Sequence, residues 1–392
     1  MIRKVKFNNF YSFDKEQEIN FLAKKKKTYD YYQSKTDDQI TKIAGFIGGN
    51  ASGKTNVMRL FSFFRYFVCE SSKDELAGAL DVAYKTFFNN KKLSDFYIEF
   101  EIDDLVFFYD FTIKENSIHK EALHCKKTIK GSKKVEIFSR NLNKIETLHK
   151  EYFNTFPLEF LKNIRADVSL LAFLKAHYNI EVINKVYGYF EGFKTNINEK
   201  GEMNNILHQI NSLELYLKDN ELKKIMEDFI CHFDIGLNNF IIKKETKDQR
   251  FTISVKGVHK TKEENNTLDF SYESKGTQSL FFTLANILSG LKNNNVIIID
   301  EIESGFHPEA LNKIINYFID ENDQKKAQII FSSHSLGFMN KLDIHQMYLV
   351  EKNKNSDSFV YRLKQIEGVR SDDNFLSKYM TGAYGAFPKI RV

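Results

Sequence analysis

The eight residues Gly48-Gly49-Asn50-Ala51-Ser52-Gly53-Lys54-Thr55 constrain this chain more than any other stretch, because they satisfy G-x-x-x-x-G-K-[ST] between an apolar strand and a helix. The strand is expected over Lys42 to Ile47 and the helix from Lys54 to about Val68. Glycines at such a junction let backbone N–H groups turn inward, so the loop becomes an anion nest at a helix N-terminus. Lys54 adds a point charge suited to β and γ phosphates, and the Thr55 hydroxyl is placed to ligate Mg²⁺. Gly48, Asn50, Ser52, Gly53, Lys54, Thr55 and the adjoining Asn56 are therefore the expected nucleotide-binding residues.

Three later segments carry chemistry that matches such a loop. Val296-Ile297-Ile298-Ile299 reads as a buried strand ending in two adjacent carboxylates, Asp300 and Glu301. Asp300 is expected to hold Mg²⁺ directly or through water, and Glu301, on the opposite side of the strand by its two-residue period, to polarise an attacking water. Another apolar strand, Ile329 to Phe331, delivers His334 to the same sheet edge, where an imidazole can sense a γ-phosphate. A lone histidine at a strand end is more often structural; its order after Asp300-Glu301 favours the phosphate role.

Glu273-Ser274-Lys275-Gly276-Thr277-Gln278 is a polar turn ahead of a helix expected over Ser279 to Leu291. Ser274, Lys275 and Gly276 thus offer a second helix N-terminus with N–H donors. A chain with two phosphate-binding helix ends fills both only if the second serves another nucleotide, such as one held by a partner protomer.

At 392 residues the chain is long enough for two or three domains and needs no metal or disulfide staple. Residues 1–150 read as strands, the glycine loop, its helix, and an antiparallel sheet that includes Phe96 to Ile102 and Leu105 to Ile113. Residues 151–237 read as a helical insert, with apolar spacing at Leu170, Leu171, Phe173 and Leu174 and again at Ile206, Ile210, Leu213 and Leu215. Residues 238–392 alternate strand and helix: Phe251 to Val255, a helix after Gly276, Val296 to Ile299, a helix after Pro308, and Gln328 to Phe331. The expected fold class is α/β, with a mostly parallel core sheet, an antiparallel β subdomain and a short helical insert; the outer zones form one nucleotide-binding domain.

The 57 Lys plus Arg are nearly balanced by 52 Asp plus Glu, and a net charge of +5 is too mild to point to nucleic acid. The run Lys24 to Lys27 and the cluster Lys126, Lys127, Lys130, Lys133 and Lys134 read as solvated loops, with phosphate contact as the alternative. Cys69, Cys125 and Cys231 match no metal-ligand spacing and are expected to be buried thiols in a reducing compartment. Met1 to Phe7 alternates like a strand instead of presenting a secretory apolar core, and no run of 18 apolar residues occurs. A cytoplasmic protein without a membrane anchor is expected.

In this order the four motifs resemble those of ABC ATPase heads of the SMC and recombination-repair type, nearly end to end. Gly48 to Thr55 is similar to the Walker A motif, Asp300-Glu301 to Walker B with its catalytic glutamate, and Ser274 and Gly276 to the signature motif. Glu303-Ser304-Gly305 resembles the D-loop and His334 the switch histidine. More narrowly, Lys6-Phe7-Asn8-Asn9-Phe10-Tyr11-Ser12-Phe13, the Glu273 to Gln278 turn and the tail Gly382 to Pro388 resemble ATPases of overcoming-lysogenization and abortive-infection systems, the RloA- and AbiL-like AAA ATPases. The resemblance implies ATP hydrolysis with Mg²⁺, Glu301 and His334 as catalytic residues, and head-to-tail homodimers or larger homo-oligomers. It also implies antiviral defence beside a separately encoded effector, a Toprim nuclease or another toxin.

The departures bear on those expectations. The first Gln after Thr55 is Gln209, inside the helical insert, so no residue is assigned to the expected Q-loop glutamine. Lys275 stands where a signature glycine is usual. The insert is too short for the long coiled coil of SMC proteins, and the 58 residues after His334 (392 minus 334) are too few for a nuclease domain. A DNA-gripping repair ATPase, a nucleotide-bound scaffold with negligible turnover and a P-loop kinase are the competing readings. Salt-sensitive DNA binding, turnover indifferent to Glu301 and transfer to an acceptor would respectively distinguish them.

Overall fold

Alternating aromatic and polar residues in the N-terminal third build an antiparallel sheet, because a period of two puts one apolar face on each strand. The computed structural model describes residues 1–23, 30–73, 80, 83–153, 164–202, 206–247, 250–262 and 264–386. The Lys24 to Lys27 run, and Phe387 and Pro388 of the tail, lie outside the described residues.

Strands β1 (Ile2–Phe7) and β2 (Gln17–Asn20) open the chain. A small three-stranded sheet follows, made of β3 (Leu22–Ala23), β4 (Tyr31–Gln33) and β5 (Gln39–Thr41). Strand β6 (Ile43–Ile47) then leads through the glycine loop into helix α1 (Lys54–Cys69). Next come β7 (Ser94–Ile102), β8 (Leu105–Lys114), β9 (Ser117–Lys127), β10 (Val135–Asn141) and β11 (Lys144–Leu148). With β1 and β2 they form one seven-stranded antiparallel sheet in the order β11-β10-β9-β8-β7-β1-β2.

Helices α2 (Lys150–Phe153), α3 (Leu170–His177) and α4 (Glu181–Glu191) precede the two-residue strand β12 (Lys194–Thr195), and α5 (Ile206–Lys218) and α6 (Asn220–Phe233) follow it. The segment read from sequence as a helical insert is therefore not wholly helical, because β12 pairs in parallel with the core strand β16 (Val296–Ile299). A two-residue strand carries no detectable period, which is why the pattern hid it. A three-stranded antiparallel sheet follows: β13 (Leu237–Lys247), β14 (Arg250–Lys260) and β15 (Asn265–Asp269).

Helix α7 (Lys275–Asn293) starts at Lys275 with Ser274 as its N-cap, not at Ser279, so the polar turn is the helix's first turn. After β16 come α8 (Pro308–Glu321), β17 (Gln328–Ser333), β18 (Met347–Lys352), β19 (Ser358–Arg362) and α9 (Phe375–Met380). The core sheet runs β12-β16-β17-β6-β18-β19, with every neighbouring pair parallel except β18-β19.

Its central strands β16, β17 and β6 are buried on both faces. On β16, Val296 and Ile298 join the apolar core shared with α1 and the antiparallel sheet, whereas Ile297 and Ile299 join the core under α7 and α8. Gln328 fastens the two large sheets together: buried, it accepts from Ile2 N at 2.7 Å and donates to Ile2 O at 3.1 Å and Thr41 O at 3.0 Å. A second internal tie is an ion pair. Glu121 and Arg140 lie 2.7 Å apart with fully buried side chains. The Glu121 carboxylate also accepts from Tyr109 Oη at 2.7 Å and from the Leu170 amide at 2.9 Å, which docks the start of α3 onto the sheet. Removing one member of such a pair strands the other's charge. Glu121→Ala should destabilise the protein by about 3–5 kcal/mol, against a much smaller cost for the joint Glu121→Leu, Arg140→Met replacement, read from denaturant midpoints.

Candidate functional site

The carboxyl edge of the parallel sheet gathers the candidate residues because β6, β17 and β16 run side by side in one direction, pairing Ile47 with Ser333 and Phe331 with Ile299. Strands β6 and β17 release their loops at the same level, residues 48–53 and His334, and β16 ends about two residues earlier, so that Asp300 and Glu301 follow it along the same edge.

The glycine loop has no room for larger residues. A Cβ on Gly48 would lie 2.1 Å from Val350 O and 2.8 Å from Ser52 Oγ, and Gly53 has φ of +117° with its would-be Cβ 2.8 Å from Ser358 Oγ. Ser358 holds the loop by donating its hydroxyl to Ser52 O at 2.7 Å, and Asn56 Nδ2 donates to Ser12 Oγ at 2.9 Å. Asn50 is exposed at the loop's tip, whereas Ser52 and Gly53 are buried. Ser52 Oγ is a buried hydroxyl with no hydrogen-bond partner among the described residues.

Lys54 is buried, with Nζ donating to Gly48 O at 2.8 Å and Gly49 O at 3.0 Å, and His334 Nδ1 lies 3.4 Å from it. Burial pulls this ammonium below its ordinary range, opposed by the charges of Asp300, Glu301 and Glu303. Asp300 is likewise buried, and desolvation pushes its carboxyl up against the hydrogen bonds it receives from Ser332 and Thr55. The Ser332 hydroxyl donates to Asp300 Oδ1 at 2.5 Å and accepts from the Glu301 amide at 2.8 Å. Glu301 does not reach the site by strand alternation. β16 ends at Ile299, and Glu301 sits beyond it in the left-handed region at φ +47°, with Oε1 3.4 Å from His334 Nε2.

These groups fit a magnesium nucleotide. The cramped loop, the orphaned Ser52 hydroxyl and the Lys54 ammonium suit phosphate oxygens, and the adjacent Thr55 hydroxyl and Asp300 carboxylate form the hard oxygen pair that Mg²⁺ takes alongside phosphate.

Ser274, Lys275 and Gly276 are not brought to this loop: among the described residues no hydrogen bond joins them to residues 48–56. Ser274 and Lys275 are exposed, and Ser274 Oγ accepts from Thr277 N at 3.0 Å as the cap of α7. Gly276 is obligatory for another reason, since a Cβ there would lie 2.5 Å from Gly305 O. Residues without a sequence signal also serve the site. Buried Asn196, just past β12, clamps both backbone groups of Asp300, donating to its carbonyl at 2.8 Å and accepting from its amide at 2.8 Å. An asparagine after a two-residue strand has no pattern to find it by; Ser332, inside the Ile329 to Ser335 motif, had.

The charge on buried Asp300 has a price that the nucleotide-binding role sets. Its carboxyl is raised in the folded protein, so the stability it contributes is present at pH below the unfolded carboxyl value and is lost as pH rises through the folded one. At neutral pH Asp300→Asn should raise Tm by about 2–4 °C, and that gain should vanish at pH near 3, below the ordinary carboxyl range. Calorimetric scans at the two pH values test it.

A protein-family model described as "AAA domain, putative AbiEii toxin, Type IV TA system" matches residues 43–340. No curated protein matches the chain. Among solved structures, an SMC head bound to the C-terminal winged-helix domain of ScpA aligns over 92% of this chain and 96% of its own, with 11% identity and a TM-score of 0.50. An SMC head with coiled coil and joint from Pyrococcus yayanosii aligns over 97% and 99%, with 11% identity and a TM-score of 0.49. The former likeness places the architecture among ABC-type SMC heads. The family model spans both the glycine loop and the acidic strand end, well over half of the 392 residues, so the chain belongs to the AAA-domain family of putative AbiEii-type toxins of type IV toxin–antitoxin systems.

Proposed function

We propose that this chain is a Mg²⁺-dependent ATPase whose heads pair head to tail around shared ATP and that regulates a separately encoded toxic effector in bacterial antiphage defence. One observation carries the enzymatic part: Lys54, Asp300, Glu301 and His334 converge at one sheet edge, while among the described residues no hydrogen bond joins the exposed cap of α7 to the phosphate loop of its own chain. In this reading residues 1–150 and 238–392 form one head, and residues 151–237 an insert that also lends β12 to the core.

The Gly48 to Thr55 amides and Lys54 bind and orient the β and γ phosphates. Thr55 and Asp300 would hold Mg²⁺, which when bound would supply Lewis-acid stabilisation of phosphate charge. Asn196 and Ser332 keep the Asp300 carboxylate aimed. Glu301, whose backbone Ser332 fixes, accepts a proton from the attacking water, and His334 senses the γ-phosphate beside it. Ser274 and the first amides of α7 then cap the triphosphate bound by the partner protomer, so loss of the γ-phosphate loosens the pair.

The toxin–antitoxin setting rests on the family's description, which names a putative toxin, and the separate effector on the abortive-infection resemblance and the likeness to an SMC head solved with a partner protein. A Toprim nuclease is the effector chemistry that the abortive-infection resemblance suggests. Among the described residues no helix is long and apolar enough to cross a membrane.

Glu301→Gln should cut kcat by about 10²–10⁴-fold while accumulating an ATP-dependent dimer in light scattering. Ser274→Arg, on an exposed cap, should leave monomer folding intact and abolish that dimer. No gain of mass with Mg-ATP for Glu301→Gln, or a dimer that survives Ser274→Arg, would reject shared nucleotide, and turnover indifferent to Glu301 would reject the catalytic assignment.

A further inference from the structure

The segment that follows β16 does more than present Glu301. Two residues on, Glu303 turns back across the sheet edge, and its Oε1 accepts from two consecutive amides, His334 at 2.5 Å and Ser335 at 2.9 Å. Those amides begin the turn that leaves β17, and after β17 ends at Ser333 no ladder partner remains for them. A single acceptor-only oxygen thus takes the His334 amide where the candidate sensor histidine begins, and shares the Ser335 amide with Ser333 Oγ, 3.0 Å away. The second oxygen, Oε2, is buried and has no hydrogen-bond partner among the described residues.

The same segment is closed on itself. Ser304 N donates to Glu301 O at 2.8 Å and Phe306 N to Glu303 O at 3.2 Å, so Glu301 and Glu303 belong to one tight turn. Its far end is Gly305, at φ +86°, whose carbonyl occupies the space a Cβ on Gly276 would need. One short stretch of backbone therefore touches the candidate base, the candidate sensor and the start of α7.

We infer that Glu303 is a positioning residue: its carboxylate oxygen fixes the His334 turn to the segment bearing Glu301, setting the imidazole against the γ-phosphate site. It acts by accepting two amides and not by its charge. Its charge is felt at Lys54, which leaves an electrostatic role as the rival explanation. The chemistry separates the two, because a glutamine oxygen still accepts both amides and carries no charge. The inference rests on the proposed roles of Glu301 and His334.

The test compares the full-length protein with Glu303→Gln, Glu303→Asp and Glu303→Ala in two measurements. Steady-state ATPase kinetics should show kcat lowered on the order of tenfold or more in Glu303→Ala with KM within about threefold, Glu303→Gln within about threefold of the parent, and Glu303→Asp, one methylene short, in between. Hydrogen exchange in the absence of nucleotide should show the His334 amide exchanging at least about tenfold faster in Glu303→Ala and unchanged in Glu303→Gln, with the Ser335 amide, which Ser333 Oγ also accepts, less affected. Glutamine as damaging as alanine in turnover, or alanine indistinguishable from the parent in exchange, overturns the inference. If Glu303→Ala fails to fold, the glutamine and aspartate variants still decide it. A parent protein without ATPase activity instead defeats the catalytic reading, and the exchange arm then decides the positional claim alone.

Discussion

The parallel register of β16, β17 and β6 is the constraint on which the rest of the site depends. Ile297 opposite Ile329, and Ile329 opposite Ile43, bring three loops to one edge of the sheet. A slip of one residue in β17 would exchange its two buried faces, moving Ile329 and Phe331 out of the α7–α8 core and Ile330 into it. Since both faces are packed, the register is enforced by apolar burial far from the chemistry. Gln328 adds a polar lock at the opposite end of the strand, tying β17 to β1 and β5.

On that frame the site concentrates charge where burial makes it costly. Lys54 and Asp300 are both buried, and each is displaced from its ordinary titration range in the direction that disfavours its charged form. Hydrogen bonds compensate in part: Gly48 and Gly49 carbonyls for the ammonium, Ser332 and Thr55 hydroxyls for the carboxylate. In the proposed function phosphate and Mg²⁺ complete the compensation, and stability is held below its attainable value to keep a binding-competent site. The strained backbone at Glu301, a non-glycine residue at φ +47°, belongs to the same pattern.

Much of this was legible in the residues. The glycine loop, the four β-branched residues before Asp300 and the apolar run before His334 declare themselves because buried parallel strands and phosphate loops tolerate few alternatives. Pro308 marked the start of α8 for the same kind of reason, its missing N–H being an orphan there anyway. What stayed hidden depends on contacts remote in sequence. β12 is two residues long, and Asn196 meets Asp300 across 104 positions. The start of α7 was misjudged because Lys275, Gly276 and Thr277 read as turn formers, whereas the Ser274 cap recruits them into the first helical turn. Glu301 was assigned its side of the sheet by strand period, and the chain had already left the strand.

Whether the exposed cap of α7 belongs to another subunit's triphosphate is the claim that a structure with Mg²⁺ and a non-hydrolysable ATP analogue tests most directly. The account predicts a two-fold assembly with each γ-phosphate lying between Lys54 of one protomer and Ser274 of the partner subunit. Nucleotide bound at the glycine loop with every Ser274 facing solvent would contradict it.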